Sequence, residues 1–128
     1  MSGPATAGLF IYAKTLESIV HFYESRLGMN RLHASDQMVV LQSQDVQLII
    51  HRIPEPLASE IVIDSPPKPR GDSALKFFFT VPSIDQARSL ATSLGGSVME
   101  HIYQGPGFTA CNAVDPEGNI FHVREPAA

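Results

Sequence analysis

The chain is poor in cysteine, in basic residues and in long apolar runs, and each shortage removes a class of function. A single cysteine, Cys111, in 128 residues excludes an internal disulfide and fits a reducing cytoplasm. No apolar run approaches the roughly 20 residues needed to span a bilayer. The opening MSGPATAG has neither the basic region nor the apolar core of a secretory signal, and reads as a flexible tail. Nine Lys and Arg against 13 Asp and Glu give a net charge of −4, which argues against nucleic acid, since that partner demands a basic stripe. The one basic patch, PPKPRG (66–71), carries prolines that mark a linker. A mildly acidic surface is an ordinary soluble surface, with at most a slight bias toward a cationic ligand. Gly105-Pro106-Gly107 has neither the lysine nor the glycine spacing of a phosphate loop and reads as a mobile turn.

What is present suits one globular domain of about 1–128: 44% hydrophobic and 17% charged residues. Two amphipathic helices stand out. Leu16, Ile19, Val20, Tyr23 and Leu27 recur at helical spacing, with Thr15 as N-cap and Gly28 as stop. Ile84, Ala87, Leu90, Ala91 and Leu94 do the same, behind the capping-box pair Ser83 and Gln86 and ahead of Gly95-Gly96.

Each helix follows a strand, GLFIYA (8–13) or ALKFFFTV (74–81), and precedes three more strand-like runs. After the first helix these are 29–34, 37–42 and 45–51; after the second they are 97–103, 108–114 and 119–124. Turns at Ser35-Asp36, Ser43-Gln44, Gly105-Pro106-Gly107 and Asp115-Pro116-Glu117-Gly118 separate them. Phe10, Thr15, Leu16 and Gly28 match Phe78, Ser83, Ile84 and Gly96 at a constant offset of 68. The expected fold is therefore α+β, two βαβββ modules over about 8–52 and 74–125, forming a cupped mixed sheet around a central cleft. The connector, about 53–73, holds five of the ten prolines, and IVIDS (61–65) is a candidate short edge strand.

Three stretches resemble the vicinal-oxygen-chelate superfamily of glyoxalases, extradiol dioxygenases and fosfomycin- and bleomycin-resistance proteins. SIVHFYESRLGM (18–29) is similar to its first helix, SIDQARSLATSLGG (83–96) to the helix of its second half, and DPEGNIFHVRE (115–125) to its closing turn and strand. The resemblance covers about residues 8–125. It implies a homodimer and, in metal-bearing members, four ligand positions on the first and last strands of each half, usually His, Gln or Glu. Those positions fall here on Gly8, about Ile49, Lys76 and His122. Only His122 is a ligand type, and a divalent metal wants at least three protein ligands, so no metal site and no cofactor are expected.

The candidate ligand-binding residues are Phe10, Tyr12, His51, Lys76, Phe78 and His122, with no catalytic residue assigned. Phe10, Tyr12 and Phe78 would form an aromatic floor for a flat organic molecule, or serve as core. Lys76, alternating with Phe78 and Thr80, would meet an anionic ligand or internal carboxylate, or snorkel to water. His122 would hydrogen-bond a ligand, or be satisfied against a neighbour. Phe77 and Phe79 face the helix as core, His21 is exposed, and Cys111 is a buried inert thiol.

The expected function is a metal-independent protein of bleomycin-resistance type, sequestering or carrying an aromatic or amphipathic ligand without membrane or nucleic-acid partners. The alternative is a metal-dependent glyoxalase-like lyase or extradiol-type dioxygenase with displaced ligands, such as His51 and His122 with Glu100 or Glu125. A third reading makes Lys76 or His122 a general acid or base without metal.

Overall fold

The computed structural model describes residues 7–43 and 46–127. Residues 1–6 of the expected tail, Gln44 of the expected Ser43-Gln44 turn and the Leu27 side chain lie outside the described residues. The chain divides into two compact units, Met1–Val62 and Ile63–Ala128, with the boundary inside the proline-bearing connector.

The first unit runs β1 (Ala7–Ala13), α1 (Leu16–Leu27), β2 (Asn30–Ala34), β3 (Met38–Gln42), β4 (Val46–Arg52) and α2 (Glu55–Ala58). Its sheet has the order β1-β4-β3-β2, with β1 parallel to β4 and the other pairs antiparallel. Strand alternation sorts the residues onto two faces. Ile11, Ala13, Val39, Leu41, Leu48 and Ile50 are buried on one face, together with Leu16, Ile19, Val20, Phe22 and Tyr23 of α1. Gly28 takes the left-handed conformation (φ 58°) that ends α1, while Thr15 makes no side-chain cap.

The second unit runs β5 (Phe78–Thr80), α3 (Ile84–Ser93), β6 (Ser97–Val98), β7 (Tyr103–Gly105), β8 (Phe108–Val114) and β9 (Ile120–Pro126). The order is β5-β9-β8-β6, with β7 also on β8 and β5 parallel to β9. Ser83 Oγ caps α3 by accepting from the Gln86 N–H at 3.1 Å. Ile84, Ala87 and Ala91 form the buried stripe of α3 with Val98, Cys111, Ala113, Phe121 and Val123 across the sheet. Phe77 stacks on the buried Phe121 at 5.4 Å and Phe79 meets it edge-on at 6.4 Å, so both belong to the core side. The closing DPEG turn is locked from within. Asp115, fully buried, accepts from the Glu117 and Asn119 backbone N–H groups and the Asn119 amide.

Five sequence expectations change. Residues 97–103 are two strands rather than one: five residue steps from Val98 to Tyr103 face only three from Ala113 to Ala110, so the surplus leaves the ladder. The strand expected over 74–81 is paired only from Phe78 to Thr80, which leaves Lys76 just ahead of it. No strand forms over 61–65, because the Ile61 N–H closes the turn on Ala58 O and its carbonyl accepts from the Lys14 ammonium. The connector instead contains the short helix α2, whose prolines sit at the N-cap and first turn where no N–H is missed. Leu90, expected in the buried stripe, lies at its margin and is 39% exposed.

Candidate functional site

In each unit the first strand lies parallel to the last, and the two registers correspond, with first strands 68 residues apart and last strands 73 apart. Phe10 pairs with Ile49 as Phe78 pairs with His122, and Tyr12 pairs with His51 as Thr80 pairs with Arg124. Ile49 is therefore the first-unit counterpart of His122, and His51 the counterpart of Arg124.

The six expected residues fall into two groups of three, one on the exposed sheet face of each unit. In the first unit Phe10 and Tyr12 are 56% and 61% exposed and stack on each other at 6.2 Å. The His51 ring lies 6.0 Å from Tyr12, with its Nδ1 atom 2.8 Å from Arg52 O. Since a carbonyl only accepts, Nδ1 carries the proton. Gly8 sits so close to Gln47 that an added Cβ would stand 3.1 Å from its carbonyl oxygen.

In the second unit, Phe78 is 48% exposed and its ring lies 5.5 Å from that of His122. Three residues not expected from sequence complete the group. Arg124 lies between two aromatic rings, its guanidinium carbon 3.6 Å from the Phe78 centroid and 4.2 Å from that of Phe108. Its Nε donates to His122 Nε2 at 3.1 Å. Asn112, directly opposite His122 across β8 and β9, accepts from the Lys76 ammonium through Oδ1 at 3.0 Å. The alternation of β9 alone puts Arg124 on the face of His122; Asn112 becomes a neighbour only through the strand register.

These contacts fix the state of His122. An arginine Nε–H can only donate, so Nε2 accepts and the neutral ring carries its proton on Nδ1. Burial, then the charge of Arg124, then that of Lys76 hold the imidazole pKa below its ordinary 6.5.

The residues at the four family metal positions do not fit a divalent metal. Gly8 and Ile49 offer no donor atoms, Lys76 offers a cation, and the Nε2 lone pair of His122 faces a guanidinium. Among the described residues no three His, Cys, Asp or Glu side chains are placed to hold a metal ion. Of the displaced ligands considered, Glu125 accepts from the Ile84 N–H at 2.7 Å and Glu100 is solvent-exposed. A shallow, open depression on the outer face of α3, lined by Asp85, Gln86, Ser89, Leu90 and Ser93, gathers none of these groups.

Two α+β units, each closing its first strand parallel to its last, define the fold of the glyoxalase, bleomycin-resistance and dioxygenase superfamily. The glyoxalase-like domain family matches residues 8–124, and the chain belongs to it. Solved structures similar to it include a glyoxalase family protein from Bacillus cereus (TM-score 0.73, 15% identity, covering 100% of this chain and 97% of that one). Another is a lactoylglutathione lyase from Agrobacterium tumefaciens (TM-score 0.61, 24% identity, 97% and 95% covered). A third is a bleomycin resistance determinant encoded on transposon Tn5 (TM-score 0.58, 21% identity, 98% and 100% covered). No curated protein matches the chain.

Proposed function

We propose that the protein binds a small aromatic or amphipathic molecule without a metal, a reading compatible with its likeness to a structure named as a bleomycin resistance determinant. Its work would be sequestration or carriage in a reducing cytoplasm, as a homodimer. One observation carries this reading: the exposed sheet faces present Phe10, Tyr12 and Phe78 beside Gly8, Ile49, Lys76 and His122, where a metal enzyme needs donor atoms. Exposed aromatic rings gain from covering by an apolar ligand, and the neighbouring polar groups would orient it.

The lyase likeness favours a different reading, a metal-dependent reaction. Against it stand the single imidazole at the four positions and the engagement of Glu125 by the α3 N-terminus. Metal analysis of protein purified without chelator separates the two. The binding reading predicts far less than one Zn, Ni, Mn or Fe per chain, and a melting temperature raised by planar ligands equally with and without EDTA. Stoichiometric metal, with ligand stabilisation lost on chelation, would contradict it.

A further inference from the structure

The chain carries a net charge of −4, yet the paired strands put no acid on the exposed face of the second unit's sheet, which carries Arg124 with Lys76 beside it. The strand register puts Phe78, Thr80, Ala110, Asn112, His122 and Arg124 on this face, with Lys76 reaching Asn112 from just ahead of β5. Among the described residues neither Lys76 nor Arg124 has a carboxylate partner, unlike Arg31, paired with Glu24, and Arg88, paired with Asp85. The nearest acid along β9, Glu125, belongs to the opposite alternation and accepts from the Ile84 N–H.

The remaining polar valences of the group are donors. Lys76 gives one N–H to Asn112 and keeps two. Asn112 accepts through Oδ1, which leaves its NH₂ group to donate. His122 accepts at Nε2 and keeps the Nδ1 proton. Arg124 uses Nε on His122 and keeps its terminal nitrogens, while the rings of Phe78 and Phe108 hold the guanidinium in place. Pre-placed donors beside an exposed aromatic ring are complementary to an anion attached to a planar body.

We infer that the second unit reads the carboxylate or phosphonate of a small aromatic acid, with Lys76 and Arg124 supplying the charge, His122 and Asn112 neutral donors, and Phe78 a surface for the ring. This rests on the binding reading above and names the ligand class for it. It reverses the slight cationic bias that net charge alone suggests, because ligands respond to the local face and not to the sum over the chain.

The full chain is titrated at low salt with phenylphosphonate, benzoate, neutral benzamide and cationic benzylamine, following affinity and the His122 imidazole resonances. The two acids should bind at least about tenfold more tightly than benzamide, with benzylamine weakest, and should shift His122. Lys76→Gln and Arg124→Gln should each weaken phenylphosphonate about tenfold, the scale of one charge-assisted hydrogen bond, and weaken neutral benzamide by a clearly smaller factor. Lys76 is exposed, so Lys76→Gln should melt as the parent does and keep the test valid even if Arg124→Gln unfolds. Benzamide binding as tightly as benzoate, acid affinity indifferent to Lys76→Gln, or no acid binding at all would each overturn the inference. The first two would leave metal-independent binding standing. That broader reading fails on a different result, stoichiometric metal required for binding.

Discussion

Arg124 joins the most neighbours in the second unit's exposed face. It bonds His122, lies over Phe78 and meets Phe108, so it fixes one imidazole tautomer and two ring positions together. Arg124→Ala should cost about 1–2 kcal/mol in urea unfolding, since a cation–π stack and a hydrogen bond are lost at once. His122 yields a pH prediction whose sign follows from its lowered pKa. Below pH 6.5 the unfolded chain takes up a proton that the folded chain still refuses, so stability should fall as pH drops through 6.5 toward the folded-state value. His122→Asn should flatten that portion of the melting-temperature curve; parent and variant curves of equal slope between pH 7 and 6 would refute this. At this scale the sequence was partly legible. Period-two alternation is enough to put Phe10 with Tyr12, and it also puts Arg124 with His122, although the resemblance drew attention to the metal position alone. Asn112 was not legible, because its place opposite His122 depends on pairing between two strands.

At the scale of elements, the closing turn explains why DPEG identifies the fold. Asp115 satisfies three donors from full burial, and Asp115→Ala would strand them at a cost of about 2–4 kcal/mol. Gly118 has φ 89°, a conformation that disfavours side chains, and a Cβ there would run into the Lys68 carbonyl. Its carbonyl accepts from the Arg70 N–H, so the connector is fastened to this turn. Gly118→Ala should therefore lower stability by at least about 2 kcal/mol, measurable by thermal or urea unfolding. Helix α1, the capped start of α3 and strands β3, β4, β8 and β9 were readable from periodicity and punctuation, which are local. The split of 97–103, the late start of β5 and the helix α2 were not. They depend on how many residues face one another across β8, on which carbonyls β9 reaches, and on a proline-bearing turn too short to show periodicity.

Across the whole molecule, the family match spans residues 8–124 and reaches into both units, whose first strands and helices are related in sequence by the 68-residue offset. Fold and function separate at this scale. Structures similar at 15–24% identity carry names as different as lactoylglutathione lyase and bleomycin resistance determinant, and only the side chains on the exposed faces can choose between such roles. On the proposed reading the choice turns on three positions, Gly8, Ile49 and Lys76, that supply no metal donor beside His122. The most direct test is isothermal titration of phenylphosphonate into the chain, purified without chelator, in the presence and absence of EDTA, with metal content measured on the same sample. Equal affinity in both, at well under one metal per chain, is the predicted result. Binding that EDTA abolishes, with stoichiometric metal in the untreated sample, would contradict the account.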